Sequence, residues 1–440
     1  MSSVLVRGGT ILTMNDALQA VEGDVSIRDG RIAAVGEFLG GPHDSVIDAS
    51  GALVLPGFVQ THVHLCQTLF RGMADDLALI EWLRTRIWPL EAAHTPETLR
   101  ASARLAAYEL LTGGTTTVLT METVHDTDVV FEAVAETGLR AVIGKCMMDA
   151  DSAVPPRLLE PTQASIDESL ALRRRWDGAA GGRIRAAFAP RFAVSCSREL
   201  LEAVGVLSGD HGALVHTHAS EQQPEVALIQ QRTGRRNIEY FEDIGLASAR
   251  LCVAHCVWVG EHEREILASR QVKVLHCPGS NLKLGSGLAP VPELRALGVS
   301  VSLGADGAAC NNRLDMFEEM RLAAVLQAVR LGPGALTARD AVWMATREGA
   351  RALGLDGEIG SIEPGKRADV IVVGLDRPHL VPGTDPYSTL VYSARGTDVR
   401  ATVVDGEVLV RDARAVRLDP GEIVADARAA ARSLVSRAAL

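Results

Sequence analysis

Gly57-Phe58-Val59-Gln60-Thr61-His62-Val63-His64 (residues 57–64) is a short apolar run that leads directly into two histidines. Seven more β-like runs follow it: Thr115–Thr120, Arg140–Gly144, Arg185–Ala189, Ala213–His216, Leu251–Ala254, Val272–Leu275 and Val299–Gly304. Helix-like segments separate them, among them Glu97–Leu111 before Gly113-Gly114, Ser197–Leu207, Pro224–Thr233 and Arg313–Val329. Eight strands alternating with helices predict a (β/α)8 barrel of the TIM type, with its working face at the carboxyl ends of the strands.

The sequence outside this core has a different texture. Val4–Val6, Thr10–Thr13, Asp24–Ile27 and Arg31–Val35 are short strands, and Asp29-Gly30 between the last two is a hairpin signal. Comparable runs return at Ala368–Gly374 and Ala401–Val410, with a second Asp-Gly at Asp405-Gly406. The expected organisation is α/β: residues 1–56 and 361–440 build a small β-sandwich, the latter with a terminal helix, around a barrel at 57–360.

In this register the strand ends carry His62 and His64, then His216 and His218, His255, His276 and finally Asp306. His-x-His puts two imidazoles on one face of a strand, where they can share an ion. With His218 and Asp306 the set becomes three nitrogens and a carboxylate, which suits zinc or another divalent transition ion. His216 shares the face of His218. We favour His218 as the ligand because Glu221 follows three residues later, where it could move protons.

The chain has 440 residues with 44 Lys plus Arg against 55 Asp plus Glu, a net charge of −11, which argues against a nucleic-acid or polybasic membrane-surface protein. No signal peptide or spanning segment is visible, since runs such as Asp369–Gly374 are far too short for a bilayer. Seven scattered cysteines without a C-x-x-C pair are a poor disulfide framework and point to the cytoplasm.

The ordered motifs Pro56–His64, His218-Ala219-Ser220-Glu221, Ala254-His255-Cys256, His276–Leu284, Leu303–Gly307 and Gly360–Asp369 resemble the amidohydrolase superfamily, in particular its mononuclear metal-dependent deaminases and chlorohydrolases of heterocyclic amines. The resemblance implies one divalent ion per chain, zinc or Fe2+, held by His62, His64, His218 and Asp306. It also implies that Glu221 shuttles a proton to a ring nitrogen, His255 hydrogen-bonds the nucleophilic water, and Asp306 accepts a proton.

For the substrate, Leu69–Gly72 through Trp82-Leu83, Pro89-Leu90-Glu91 and Gly304–Asn312 resemble deaminases of 5'-deoxyadenosine, methylthioadenosine and S-adenosylhomocysteine, with Glu91 accepting from ribose hydroxyls. Gln67, Gly144-Lys145 and Pro190-Arg191-Phe192 look more like guanine deaminase, in which an arginine would donate to a lactam oxygen. Arg191 could instead pair with Glu91. The implied partner is a small aminopurine or related heterocycle, with a guanine- or pterin-type ring, or an s-triazine, as alternatives; related enzymes are often homo-oligomers.

Overall fold

The computed structural model describes residues 3–151 and 153–439. The strands of the amino-terminal region are β1 (Ser3–Leu12), β2 (Ala20–Arg28), β3 (Arg31–Gly36), β4 (Ser45–Asp48) and β5 (Ala52–Pro56). The two short runs expected at Val4–Val6 and Thr10–Thr13 form one strand, β1, whose pairing with β2 shifts register between Val6 and Gly9. The expected hairpin is present, with Arg28 opposite Arg31 across Asp29-Gly30.

Eight β-runs occupy the middle of the chain as β6 (Phe58–His64), β7 (Thr115–Met121), β8 (Arg140–Met147), β9 (Ile184–Pro190), β10 (Val215–Ala219), β11 (Leu251–His255), β12 (Lys273–His276) and β13 (Val301–Leu303). A two-residue strand, β14 (Asp306–Gly307), pairs in parallel with β6, while β13 pairs with β12. The last strand position is therefore split, and together its halves close the ring β6 to β13 into a TIM-like barrel. Helices at Pro96–Thr112, Thr127–Thr137, Arg198–His211, Gln223–Thr233 and Met316–Leu331 connect or cover the strands.

Period-two alternation decides what each strand residue faces. Val63 and Ile143 pack in an apolar cluster with Leu99, Ala103 and Phe131 from the surrounding helices. His62, His64 and Cys146, at positions of the opposite parity, consequently point the other way, into the barrel.

The carboxyl-terminal strands β15 (Val370–Gly374), β16 (Val399–Val404), β17 (Glu407–Arg411) and β18 (Arg414–Ala415) join the amino-terminal ones, because β15 lies antiparallel to β5. Among the described residues this makes one continuous sheet, β18-β17-β16-β15-β5-β1-β2-β3, with β4 on β1. Val25, Ile27, Ile32, Val370, Ala401 and Val403 share one buried cluster, so the sheet folds over a common core. Its two Asp-Gly turns touch: a Cβ on Gly30 would lie 2.8 Å from the Asp405 carbonyl, and one on Gly406 2.6 Å from the Gly30 Cα. Both glycines have positive φ, so conformation and space each exclude a side chain there.

A terminal helix, Pro420–Ala438, packs on Pro96–Thr112, and Arg437 Nε donates to the Ala93 carbonyl at 2.8 Å. Among the described residues no helix is long and apolar enough to cross a membrane.

Candidate active site

The strand ends converge on one point at the barrel mouth. Nε2 of His62 and Nε2 of His64 lie 3.3 and 3.2 Å from Asp306 Oδ1, and Nε2 of His218 lies 3.3 Å from Nε2 of His64. His62, His64 and Asp306 are nearly or fully buried, and His218 is half-buried. The backbone at the strand ends is bent to bring them together: Asp306 and His255 have φ of +64° and +74°, a region that non-glycine residues seldom adopt and that clusters at functional sites.

The hydrogen bonds behind these rings prepare them as ligands. His64 Nδ1 is 2.8 Å from the Met121 carbonyl and His218 Nδ1 is 2.7 Å from the Arg191 carbonyl. A carbonyl only accepts, so both Nδ1 atoms carry the proton, and in the neutral rings both Nε2 lone pairs face the centre. Two such lone pairs 3.3 Å apart repel unless a cation lies between them. Nε2 of His62 is also buried without a hydrogen-bond partner among the described residues. These orphaned donors fit a divalent ion of the nitrogen- and oxygen-ligated kind.

The electrostatics favour neutral rings at His62 and His218 and protonation at His64. Burial, partly countered by Asp306, pushes His62 down to about 4, and burial together with the neighbouring rings holds His218 well below its usual range. Burial would also lower His64, but its hydrogen bond and charge contact with Asp306 outweigh this and raise it. Burial opposes ionisation of Asp306, yet His62 and His64 hold it well below an ordinary carboxylate.

His216 sits behind the cluster, its Nε2 2.6 Å from Nδ1 of His62. It orients a ring of the cluster, while His218 occupies the forward position. His276 is buried, lies outside the candidate ligand groups and is pushed down to about 3 by burial.

Glu221 and His255 flank the cluster. Nε2 of His255 is 3.6 Å from Glu221 Oε2 and 3.9 Å from Asp306 Oδ2, and its Nδ1 is bound to Asn281 Oδ1 at 2.9 Å. Burial raises the Glu221 carboxyl above the normal range, against the lowering effect of His255. Ser280 Oγ donates to Asp306 Oδ2 at 2.6 Å. The orienting roles of Ser280 and Asn281 were not assigned from the sequence, although both lie in the His276–Leu284 motif that drew attention to the site.

The cavity over the cluster is lined by Gln67, Leu79, Trp82, Leu83, Arg191 and Phe192 in addition to the groups above. Arg191 is buried and forked onto Glu91, with Nη1 to Oε2 at 2.6 Å and Nη2 to Oε1 at 3.1 Å. Gln67 Nε2 also donates to Glu91 Oε1, at 3.0 Å.

Lys145 requires a correction. Expected at the substrate, it lies outside the cavity lining, with Nζ on Glu160 and 3.6 Å from Glu168. Its strand parity is that of Ile143, so it faces the helix layer, and the interior position belongs to Cys146, whose Sγ is 3.9 Å from Arg191 Nη1. Its ammonium also supplies the cation for the His125, Glu160 and Glu168 group, which otherwise has metal-ligand spacing.

The pattern of the amidohydrolase family matches residues 53–409. The chain belongs to the amidohydrolase family. Over its whole length this amidohydrolase is 42% identical to a 5'-deoxyadenosine deaminase of Methanosarcina acetivorans, which it covers completely. A 5-methylthioadenosine/S-adenosylhomocysteine deaminase of Symbiobacterium thermophilum is 41% identical, with 99% of this chain and all of the relative aligned. Among solved structures, an adenosine deaminase from Xanthomonas campestris with bound zinc superimposes with a TM-score of 0.93 at 32% identity, covering 99% of both chains.

Proposed function

We propose that this amidohydrolase hydrolytically deaminates a 6-aminopurine nucleoside of the 5'-deoxyadenosine, methylthioadenosine or S-adenosylhomocysteine class, releasing ammonia. The observation that carries this reading is the convergence of His62, His64, His218 and Asp306 beneath Glu221 and His255, in a chain about 40% identical to deaminases of such nucleosides over its full length.

The four ligand candidates would hold one divalent ion, zinc as in the Xanthomonas relative. Such an ion lowers the pKa of water from 15.7 towards about 7 and so supplies a nucleophile at neutral pH. Glu221 takes the first proton from the attacking water and delivers it to the ring nitrogen beside the amino-bearing carbon, which lets the new C–O bond form. His255 hydrogen-bonds the incoming oxygen. Asp306 accepts the remaining proton and passes it to the amino group, the C–N bond breaks, and ammonia leaves as the carbonyl forms.

Arg191 bears on the choice of ring. Two of its five N–H groups are held by Glu91, so a guanine-like lactam oxygen would have to be met by one of the other three. Glu91 lies behind the cavity lining, held by Arg191 and Gln67, and would serve as an acceptor for a sugar hydroxyl through the carboxylate lone pair those three bonds leave. Burial of all seven cysteines as free thiols supports a reducing, cytoplasmic setting.

The deciding experiment is ammonia release from 5'-deoxyadenosine, methylthioadenosine, S-adenosylhomocysteine, adenosine, guanine, a pterin and a chlorinated s-triazine. Turnover led by an adenine nucleoside is expected, and turnover confined to guanine, pterin or triazine overturns the reading. Elemental analysis is expected to find one divalent ion per chain; two ions, or a carbamylated Lys145, would contradict the one-ion assignment.

A further inference from the structure

Gln222 follows the proposed proton shuttle directly and is itself buried. Its amide reaches two separate parts of the cavity wall. Oε1 accepts from the backbone N–H of Leu79 at 3.2 Å, while Nε2 donates to the Leu284 carbonyl at 2.9 Å and to Ser286 Oγ at 3.2 Å. Ser286 Oγ in turn lies 3.3 Å from Glu221 Oε1. A hydroxyl has one proton, and since this one already accepts from Gln222, its proton is directed to Glu221.

The other arm holds the roof of the cavity. Leu79 is the first residue of the short helix Leu79–Trp82, which continues as a π-turn over Leu83–Ile87, and Leu79, Trp82 and Leu83 all line the cavity. The preceding Ala78 offers no side-chain cap, so the Gln222 amide satisfies a helix-end N–H from 143 residues away in sequence. The approach to this helix is largely exposed, has positive φ at Gly72 and Asp76, and is tied by Arg71 to Glu109 and by Lys283 Nζ to Asp75 at 2.5 Å.

We infer that Gln222 is a positioning residue that couples the seating of the Leu79–Leu83 roof on the substrate to the alignment of Glu221 through Ser286. With the roof seated, Oε1 is engaged and the amide plane is fixed. Nε2 then holds Ser286 so that its hydroxyl orients the Glu221 carboxylate towards the attacking water. With the roof displaced, Oε1 loses its partner and the amide is held only through Nε2 on Leu284 and Ser286, which slackens the constraint on Glu221. This rests on the deaminase reading for the role of Glu221.

The test is a double-mutant cycle on whichever substrate the wild type turns over fastest, so failure of the deaminase reading shows in the wild-type panel and failure of the coupling shows only in variant ratios. Gln222→Met is expected to lower kcat about tenfold, as loss of an orienting partner usually does, and to raise KM several-fold through the roof. Ser286→Ala is expected to lower kcat by a similar factor with KM unchanged, and Ser286→Thr to restore it. The double variant should have a kcat within about twofold of either single variant, because both act through one hydrogen bond. Multiplying kcat losses, or an unchanged kcat in Gln222→Met, overturns the coupling. Should Gln222→Met fail to fold, the Ser286 pair decides: loss in Ala with recovery in Thr at constant KM upholds the arm to Glu221, and equal activity in both removes it.

Discussion

Glu221→Gln is expected to bind its metal normally and to lose roughly 10²–10⁴-fold in kcat, the usual range for a positioned acid–base group. The carboxylate lies beside His255, whereas the inward nitrogens of His62 and His64 meet Asp306 Oδ1 and that of His218 meets His64. The amide is nearly isosteric and can still accept from Ser286, so what is lost is the capacity to take a proton. Elemental analysis beside steady-state kinetics checks this; loss of the metal, or turnover near wild type, would reassign the residue. The raised carboxyl fixes the sign of the pH dependence as well. Glu221 must be ionised to accept a proton, so wild-type kcat/KM falls as pH drops through a value above that of an ordinary glutamate.

Glu91→Ala is expected to act on both stability and binding. Arg191 and Glu91 are buried and joined by two hydrogen bonds, so removing the carboxylate leaves an uncompensated guanidinium in the barrel mouth. Breaking a buried pair in this way costs about 3–5 kcal/mol, visible as a lowered denaturation midpoint. The same change removes the acceptor proposed for the sugar and should raise KM for ribosides. The double variant Glu91→Leu/Arg191→Met separates the effects, since it removes both charges: stability should recover substantially while the riboside KM stays high. Recovery of both would make the pair purely structural, and a preserved guanine activity that Arg191→Met abolishes would revive the oxo-purine reading.

Much of the barrel is legible because its strands are short apolar runs, several of which lead into a polar residue that an ordinary core would not tolerate. His62, His64, His218, His255 and Asp306 stand out for that reason, and the structure brings them together. Parity along β8 was equally available: Lys145 shares the phase of Ile143, not that of Cys146, and counting by twos places it in the helix layer despite a suggestive motif. The split of the last strand into β13 and β14 leaves no such trace, since Asp306-Gly307 is too short for a periodic signal. Contacts such as Leu79–Gln222 and Gln222–Ser286 are invisible for another reason. They join residues 143 and 64 positions apart through single amide or hydroxyl groups, and nothing local in either segment announces its partner. The Leu77–Leu90 stretch likewise reads as one amphipathic run, whereas the fold interrupts it with a π-turn beside the cavity.

The pairing of β5 with β15 has a consequence for synthesis on the ribosome. Pro56 lies opposite Val370, so one edge of β5 waits for a partner 314 residues later in the chain. At elongation speeds of about 5–20 residues per second, that edge emerges roughly 15–60 s before its partner does. During this interval the barrel strands accumulate behind an open apolar edge of the kind that recruits stray strands. Slowing translation within the barrel segment should therefore increase the dependence of soluble yield on chaperones, while slowing it after residue 374 should not.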